Sequence, residues 1–147
     1  MASRKGKLCL VESTEIERYL SRKFGFLPSD NQTAAILEYY ALKISDSYEA
    51  FTYHATKART AESNAAMEDQ LRFLFEKHEN ILAANPSGHC YGNTISYPDV
   101  VLYTLYNQAK LSNNTSLFNQ SECRQIMKLV ASLDSNEKIA AGIATVA

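Results

Sequence analysis

The fold is decided by residues 88–108, Gly-His-Cys-Tyr-Gly-Asn-Thr-Ile-Ser-Tyr-Pro-Asp-Val-Val-Leu-Tyr-Thr-Leu-Tyr-Asn-Gln. Ser96 stands where the N-cap of a helix is expected, and Asp99 follows three residues later, where its carboxylate can accept the cap amide. Pro98 suits the first helical turn, whose amides have no partner within the helix. The pattern therefore predicts a loop that leads into a helix starting next to Ser96, with Asp99 partly buried.

The segment after this capping box is apolar on nearly every side. Residues 100–106 are interrupted only by Thr104, and Ile95 and Val100 occupy the positions of a hydrophobic staple around the box. A helix that is apolar all round belongs in a protein interior, so we expect a central helix against which the others pack. A buried strand is the alternative, because Val, Leu and Tyr also form strands and so short a run has no decisive periodicity. The capping box favours the helix.

Length, composition and charge are those of a single globular domain. The 147 residues are enough to bury one hydrophobic core. The formal net charge of −1 gives no electrostatic reason to expect a nucleic acid partner, since that binding depends on neutralising phosphates. No apolar run is long enough to span a membrane, and the first residues do not resemble a signal peptide. We therefore expect a cytoplasmic protein without nucleic acid or membrane partners.

The cysteines and histidines predict neither a metal site nor a catalytic centre. Cys9, Cys90 and Cys123 are odd in number and far apart, so we expect three reduced thiols. His89 and Cys90 are adjacent in a glycine-flanked loop, and an imidazole beside a thiol can create a reactive thiolate. Adjacent side chains often point apart, and no third orienting residue is evident, so an incidental pair is the simpler interpretation. We assign no catalytic residue and no metal ligand.

Helical spacing of apolar residues recurs through most of the chain. It predicts helices at about 14–24, 29–59, 63–84, from 97, at 121–133 and from 134 or 135 onward. A short strand at 7–11 precedes them, although its apolar residues could equally begin a helix. The fold class we predict is all-α, a bundle of five to six helices with one N-terminal strand. Since a single strand leaves its backbone unpaired, this strand should pair with another copy, join the following helix or be disordered.

Two stretches together resemble one family. Residues 6–25, Gly-Lys-Leu-Cys-Leu-Val-Glu-Ser-Thr-Glu-Ile-Glu-Arg-Tyr-Leu-Ser-Arg-Lys-Phe-Gly, resemble the last strand and helix of the thioredoxin-like domain of a cytosolic glutathione transferase. Residues 92–99 resemble the capping box and staple that open the buried helix of that family's all-helical C-terminal domain. The resemblance implies a remnant of the thioredoxin-like domain at 1–27 and a C-terminal helical domain at 28–147.

The resemblance also implies a ligand site. Glu12 and Ser13 match the acidic-or-Gln and Ser pair that holds the γ-glutamyl end of glutathione, at a helix start whose amides favour a carboxylate. Asp46 resembles an acidic residue that in some members reaches the same group across the dimer. Simple capping of the helix by Ser13 or Thr14, and a solvated Asp46, are the alternatives. Nothing in the chain corresponds to the segment with the catalytic Tyr, Ser or Cys, so we expect glutathione as a ligand at most and no cofactor.

A second candidate site is a hydrophobic pocket rich in tyrosine. Tyr40, Tyr48 and Phe51 on the long helix, with Tyr103 on the central one, could line an apolar cavity that offers hydroxyl groups. The resemblance implies that an electrophilic substrate lies against this long helix. Core packing explains the same residues equally well.

Two functional hypotheses follow from these features. The first is a truncated, non-catalytic module for protein–protein interaction, as in translation-factor and synthetase-complex relatives of the family, and it predicts a homo-oligomer or a protein partner. The second is a protein that binds glutathione or a hydrophobic ligand, with weak or residual transferase activity. A shortened sequence of a complete transferase is a third interpretation.

Overall fold

The computed structural model describes residues 2–4, 7–56, 60–119 and 121–144. Within these ranges, six α-helices and a short 3₁₀ helix follow an N-terminal β-hairpin. The elements are β1 (Ala2–Arg4), β2 (Lys7–Cys9), α1 (Ser13–Lys23), α2 (Asn31–Thr56), α3 (Ala61–Ala84), α4 (Tyr97–Leu111), the 3₁₀ helix η1 (Thr115–Leu117), α5 (Arg124–Asp134) and α6 (Glu137–Ala144). The predicted all-α helical bundle is confirmed, with the hairpin as its only β-structure in the described ranges.

The predicted N-terminal strand finds a partner within the chain. β1 and β2 pair antiparallel, with Ala2 opposite Cys9 and Arg4 opposite Lys7. Our expectation of pairing with another copy, absorption into the helix or disorder was therefore wrong, because the preceding residues supply the second strand. The strand also ends at Cys9 rather than at residue 11, and irregular backbone leads to α1.

Helix α4 lies at the centre of the bundle, as its apolar sequence predicts. It packs mainly against α2 and also contacts α5 and η1. Leu102 and Leu105 of α4 are fully buried, together with Ile44 of α2 and Ile126 of α5. α3 packs against α2 on one side and α5 on the other. The alternative of a buried strand at residues 100–106 is excluded by this helix.

Helix α1 is attached to the bundle mainly by polar contacts. Glu38 of α2 forms ion pairs with Arg18 at 2.9 Å and with Arg22 at 2.6 Å. The hydroxyl of Tyr97 donates a hydrogen bond of 3.0 Å to Glu17. The large apolar side chains of α1 and the turn after it are exposed instead: Ile16, Tyr19, Leu20 and Phe24. The apolar side of α1 is therefore only partly covered.

Candidate functional site

The start of α4 is built around the buried carboxylate of Asp99. Its Oδ2 accepts hydrogen bonds of 2.8 Å from both the backbone N–H and the hydroxyl of Ser96, and its Oδ1 accepts one of 2.8 Å from the N–H of Cys90. Ile95 and Val100, the expected staple residues, are both half-buried. The capping box is thus present, and Asp99 also fixes the loop that precedes the helix.

Asp99 is the third residue beside His89 and Cys90, which could orient the pair and which the sequence did not reveal. Its Oδ2 lies 3.3 Å from Nδ1 of His89, and its charge also faces Cys90. Burial and then this carboxylate raise the pKa of the Cys90 thiol far above its usual range. Because the thiolate is the nucleophilic form, this raised pKa disfavours a reactive thiolate at Cys90 despite its histidine neighbour.

The second described thiol is also protonated. Burial, followed by the charges of Glu79 and Glu122, raises the pKa of Cys123 to about 11. The Cys9 side chain lies outside the described side chains.

Glu12 and Ser13 lie at the exposed N-terminus of α1. Glu12 occupies the N-cap position, its side chain forms no cap hydrogen bond, and Ser13 is the first helical residue. The alternative that Ser13 or Thr14 caps the helix is therefore wrong for this chain. Glu12 also has φ 74° and ψ 123°, a conformation that residues other than glycine rarely adopt. Such strain costs about 1–3 kcal/mol and is concentrated at functional sites.

Asp46 is exposed on α2. Its Oδ2 is 3.3 Å from Nζ of Lys43, one helical turn earlier. Among the contacts of the described residues, none joins Asp46 to Glu12 or Ser13. The part of Asp46 in a glutathione site stays a prediction that would need a second copy of the chain.

The four residues of the proposed tyrosine-rich pocket have different surroundings. Phe51 is buried in the core, and Tyr48 is half-buried against it. The ring of Tyr40 meets that of His78 edge-on, with centroids 6.1 Å apart. Tyr103 donates a 2.5 Å hydrogen bond from its hydroxyl to Asp134, and burial together with this bond raises its pKa. None of the four lines either cavity described next, so the pocket stays a prediction.

Two cavities open on other parts of the surface. One has a volume of about 770 Å³ and lies between α3, η1 and the start of α5. The other is a groove of about 530 Å³ between the turn after α1, the loop before α4 and the α5–α6 junction. Neither cavity contains a residue that the sequence singled out as a ligand contact. The groove does include the staple residue Ile95 and the loop residue His89.

The sequence analysis did not identify several large apolar side chains that are exposed on α2 and α3. Ile36 and Tyr39 of α2 are 52% and 47% exposed, and Phe73 of α3 is 72% exposed. Nζ of Lys77 lies 4.9 Å from the centre of the Tyr39 ring. We call Ile36, Tyr39, Phe73 and Lys77 the α2–α3 face. The available signal was Phe73 itself, a large apolar residue outside the helical spacing of its neighbours.

Two kinds of site are absent from the described part of the chain. It contains no group of three or more His, Cys, Asp or Glu side chains placed to hold a metal ion. None of its helices combines the length and the apolar character needed to cross a membrane.

Comparisons with known proteins agree with this architecture. A family model described as the glutathione S-transferase C-terminal domain matches residues 44–145, which is more than half of the chain. A solved glutathione S-transferase of Caenorhabditis elegans is similar in fold, with a TM-score of 0.77 at 24% sequence identity. The similar region covers 92% of this chain and 68% of that one. A comparison with curated proteins gives no match.

Proposed function

Because the chain belongs to the family of the glutathione S-transferase C-terminal domain, we propose that it is a non-catalytic assembly module that pairs with a second copy of itself. The observation that carries this proposal is the α2–α3 face, which bears the exposed side chains of Ile36, Tyr39 and Phe73. Large apolar side chains that are grouped on a surface mark interaction sites more often than single ones do.

The contacts between the two helices place these side chains on neighbouring parts of the surface. Lys77 of α3 lies against the Tyr39 ring of α2, and Nε2 of Gln70 is 3.4 Å from Oγ of Ser47. α2 and α3 are thus antiparallel here, and Phe73 falls between Gln70 and Lys77 on the same side of α3. The ammonium group also restrains the Tyr39 ring by a cation–π contact, which lowers the entropy that pairing would cost.

The exposed area supports weak pairing. Burying what remains exposed of these three side chains in two copies gains about 9 kcal/mol, at about 2.5 kcal/mol for each full side chain. Association itself costs a comparable amount, about 4–15 kcal/mol. The net free energy is then about −5 kcal/mol at best, so we expect a weak dimer that forms at high micromolar to millimolar concentrations, with the polar surroundings of the face setting its geometry.

The state of the thiols supports a role without catalysis. Both described cysteines, Cys90 and Cys123, are buried and have raised pKa values, so neither provides a nucleophile near neutral pH. Free thiols are typical of reducing compartments, and we place the protein in the cytoplasm on that basis.

Light scattering with matched variants tests the proposal. The average mass of the wild-type chain should rise from monomer toward dimer between about 10 μM and 1 mM, and Phe73→Glu should stay monomeric without losing helical content. Leu111→Glu is the control, because Leu111 ends α4, is 80% exposed and lies outside the face. A monomer at every concentration, or equal effects of the two variants, would refute the proposal.

A second candidate function is glutathione binding at the start of α1. It is favoured by the strained backbone of Glu12 and by the first amides of α1, which receive no side-chain cap. Calorimetry with glutathione should then show binding that Ser13→Ala weakens and Ser29→Ala, in the exposed turn before α2, does not. The absence of heat at millimolar glutathione would remove this candidate, whereas conjugation of a chlorinated aromatic above background would revive transferase activity.

A further inference from the structure

The groove beside the turn after α1 offers apolar surface to a ligand. Its volume is about 530 Å³, which is within the range of small-molecule sites. Phe24 lines it and is 64% exposed, and Phe26 and Ile95 line it and are half-buried. A flat apolar molecule can therefore cover surface that now faces solvent. The groove shares no residue with the α2–α3 face or with the start of α1, so a ligand here is independent of both functions proposed above.

The turn that forms one wall of the groove is fixed before any ligand binds. The N–H of Phe26 donates a hydrogen bond of 2.8 Å to the carbonyl of Ser21, and the carbonyl of Phe26 accepts one of 2.8 Å from the N–H of Tyr97. Nζ of Lys23 lies 5.6 Å from the centre of the Phe24 ring, a cation–π contact that restrains this exposed side chain. Such preorganisation lowers the entropy that binding costs.

His89 supplies the groove with a nitrogen that can form a hydrogen bond. Its backbone N–H donates a bond of 3.2 Å to Oγ of Ser87, and its carbonyl accepts one of 3.0 Å from Nδ2 of Asn85, so the loop fixes its position. Nδ1 of its imidazole is buried and lies 3.3 Å from Oδ2 of Asp99. Nε2 reaches the surface, and no hydrogen bond joins it to any residue in the described part of the chain.

The charge of Asp99 determines which kind of hydrogen bond Nε2 can form. A carboxylate favours a hydrogen on the nitrogen that faces it, so the neutral imidazole carries its hydrogen on Nδ1 and Nε2 is an acceptor. Asn136 in the same groove contributes a donor, since its Oδ1 already accepts the N–H groups of Lys138 and Ile139 at 3.1 and 3.3 Å. These polar groups suit a hydroxyl, which both donates and accepts.

We propose that this groove binds a small phenol. The aromatic ring lies on Phe24, and the phenol hydroxyl donates a hydrogen bond to Nε2 of His89. A molecule of the same shape without the hydroxyl hydrogen gains the apolar contact alone. A carboxylate is disfavoured, because it brings no hydrogen to Nε2 and is repelled by the charge of Asp99 beside the imidazole.

The probe is 4-hydroxyacetophenone, compared with its methyl ether 4-methoxyacetophenone and with the anion 4-acetylbenzoate. The ether keeps the ring and the oxygen atom but has no hydrogen to donate. In titrations followed by amide chemical shifts, the phenol should saturate the groove at millimolar concentrations. The ether should bind about threefold to tenfold more weakly, as expected for the loss of one hydrogen bond, and the anion should also bind more weakly than the phenol. The shifts should be largest in the groove, as at Gly25 and Thr94.

Matched variants locate the two contacts. His89→Phe keeps a flat ring but removes the acceptor, so the phenol and the ether should then bind equally. Phe24→Ala should weaken both ligands to a similar extent. Leu111→Ala, which changes an 80% exposed side chain at the end of α4 outside the groove, should affect neither ligand. Circular dichroism should show that each variant keeps its helical content.

The comparison of phenol and ether on the wild-type chain decides the proposal even where a variant does not fold. The proposal is overturned if the ether binds as tightly as the phenol, if the anion binds more tightly than the phenol, or if His89→Phe keeps the preference for the phenol. Amide shifts outside the groove, or no saturable binding up to about 10 mM, also overturn it.

Discussion

Replacement of Asp99 by alanine gives the sharpest test of how this fold is held together. The carboxylate is fully buried and accepts hydrogen bonds from the N–H groups of Ser96 and Cys90 and from the Ser96 hydroxyl. Asp99→Ala removes all three acceptor contacts at once. It therefore disturbs both the start of α4 and the loop before it, more than the loss of an ordinary helix cap would.

The expected cost follows from the two backbone donors that remain. Each buried N–H without a partner costs about 1–3 kcal/mol, and the hydroxyl of Ser96 can rotate to find another acceptor. Removing a buried charge returns part of its desolvation penalty. We therefore expect the free energy of unfolding to fall by about 3 kcal/mol, against the ~1 kcal/mol typical of an exposed cap.

Urea titration followed by circular dichroism measures this difference. The midpoint of Asp99→Ala should fall by about 1.5 M, for a slope near 2 kcal/mol/M. The control is Thr60→Ala at the start of α3, where an exposed Thr60 hydroxyl accepts the Ser63 N–H at 3.1 Å. If Asp99→Ala lowers stability no more than Thr60→Ala does, the reasoning about the buried network is refuted.

Three further predictions concern single side chains. Burial lowers the pKa of His78 from 6.5. The neutral imidazole of the folded chain therefore stabilises the fold fully above about pH 6.5. This stabilisation is lost at lower pH, as the unfolded chain takes up the proton. From about pH 7.5 to 5.5 this loss reaches at most about 1.4 kcal/mol, and His78→Leu should remove it from urea titrations at the two pH values. Glu12→Gly relieves the positive φ and should raise the free energy of unfolding by about 1 kcal/mol in the same assay, net of the entropy of glycine. Glu79→Gln weakens the two bonds to α5 and should cost about 1 kcal/mol, with faster amide exchange in the first turn of α5.

Each of these three has its own contradicting result. An unchanged pH profile for His78→Leu would mean that the folded chain protonates this imidazole readily. A destabilised Glu12→Gly would show that the turn carries no strain. Amide exchange in α5 that does not respond to Glu79→Gln would show that α5 starts without help from α3.

The parts of the fold that the sequence predicted depend on local signals. Ser96 and Asp99 are three residues apart, and a capping box is decided within one helical turn. The long helices also follow from apolar spacing: the buried residues of α3 that the structure shows are Met67, Leu71, Leu74, Phe75, His78 and Leu82. Such patterns act over a few residues and need no knowledge of the partner element.

The missed features depend on what lies across the molecule. Asp99 also binds the N–H of Cys90, nine residues earlier, and lies beside His89, contacts that only the folded loop creates. The exposure of Phe73 depends on which side of α3 its neighbours α2, α5 and η1 leave uncovered. The start of α1 was predicted to within one residue, but its N-cap residue was not, because Glu12 adopts a strained conformation that composition does not encode. Residues at candidate ligand or interaction sites were thus harder to predict than residues of the core.

The most direct test of pairing through the α2–α3 face is an isotope-filtered nuclear Overhauser measurement on a mixture of labelled and unlabelled chains. Only protons of different copies give signals in this experiment, and they must lie within about 5 Å, the separation of packed side chains. We predict signals from the aromatic protons of Tyr39 and Phe73 and from the methyl groups of Ile36. Signals confined to the exposed apolar side of α1, or none at millimolar concentration, would contradict the account.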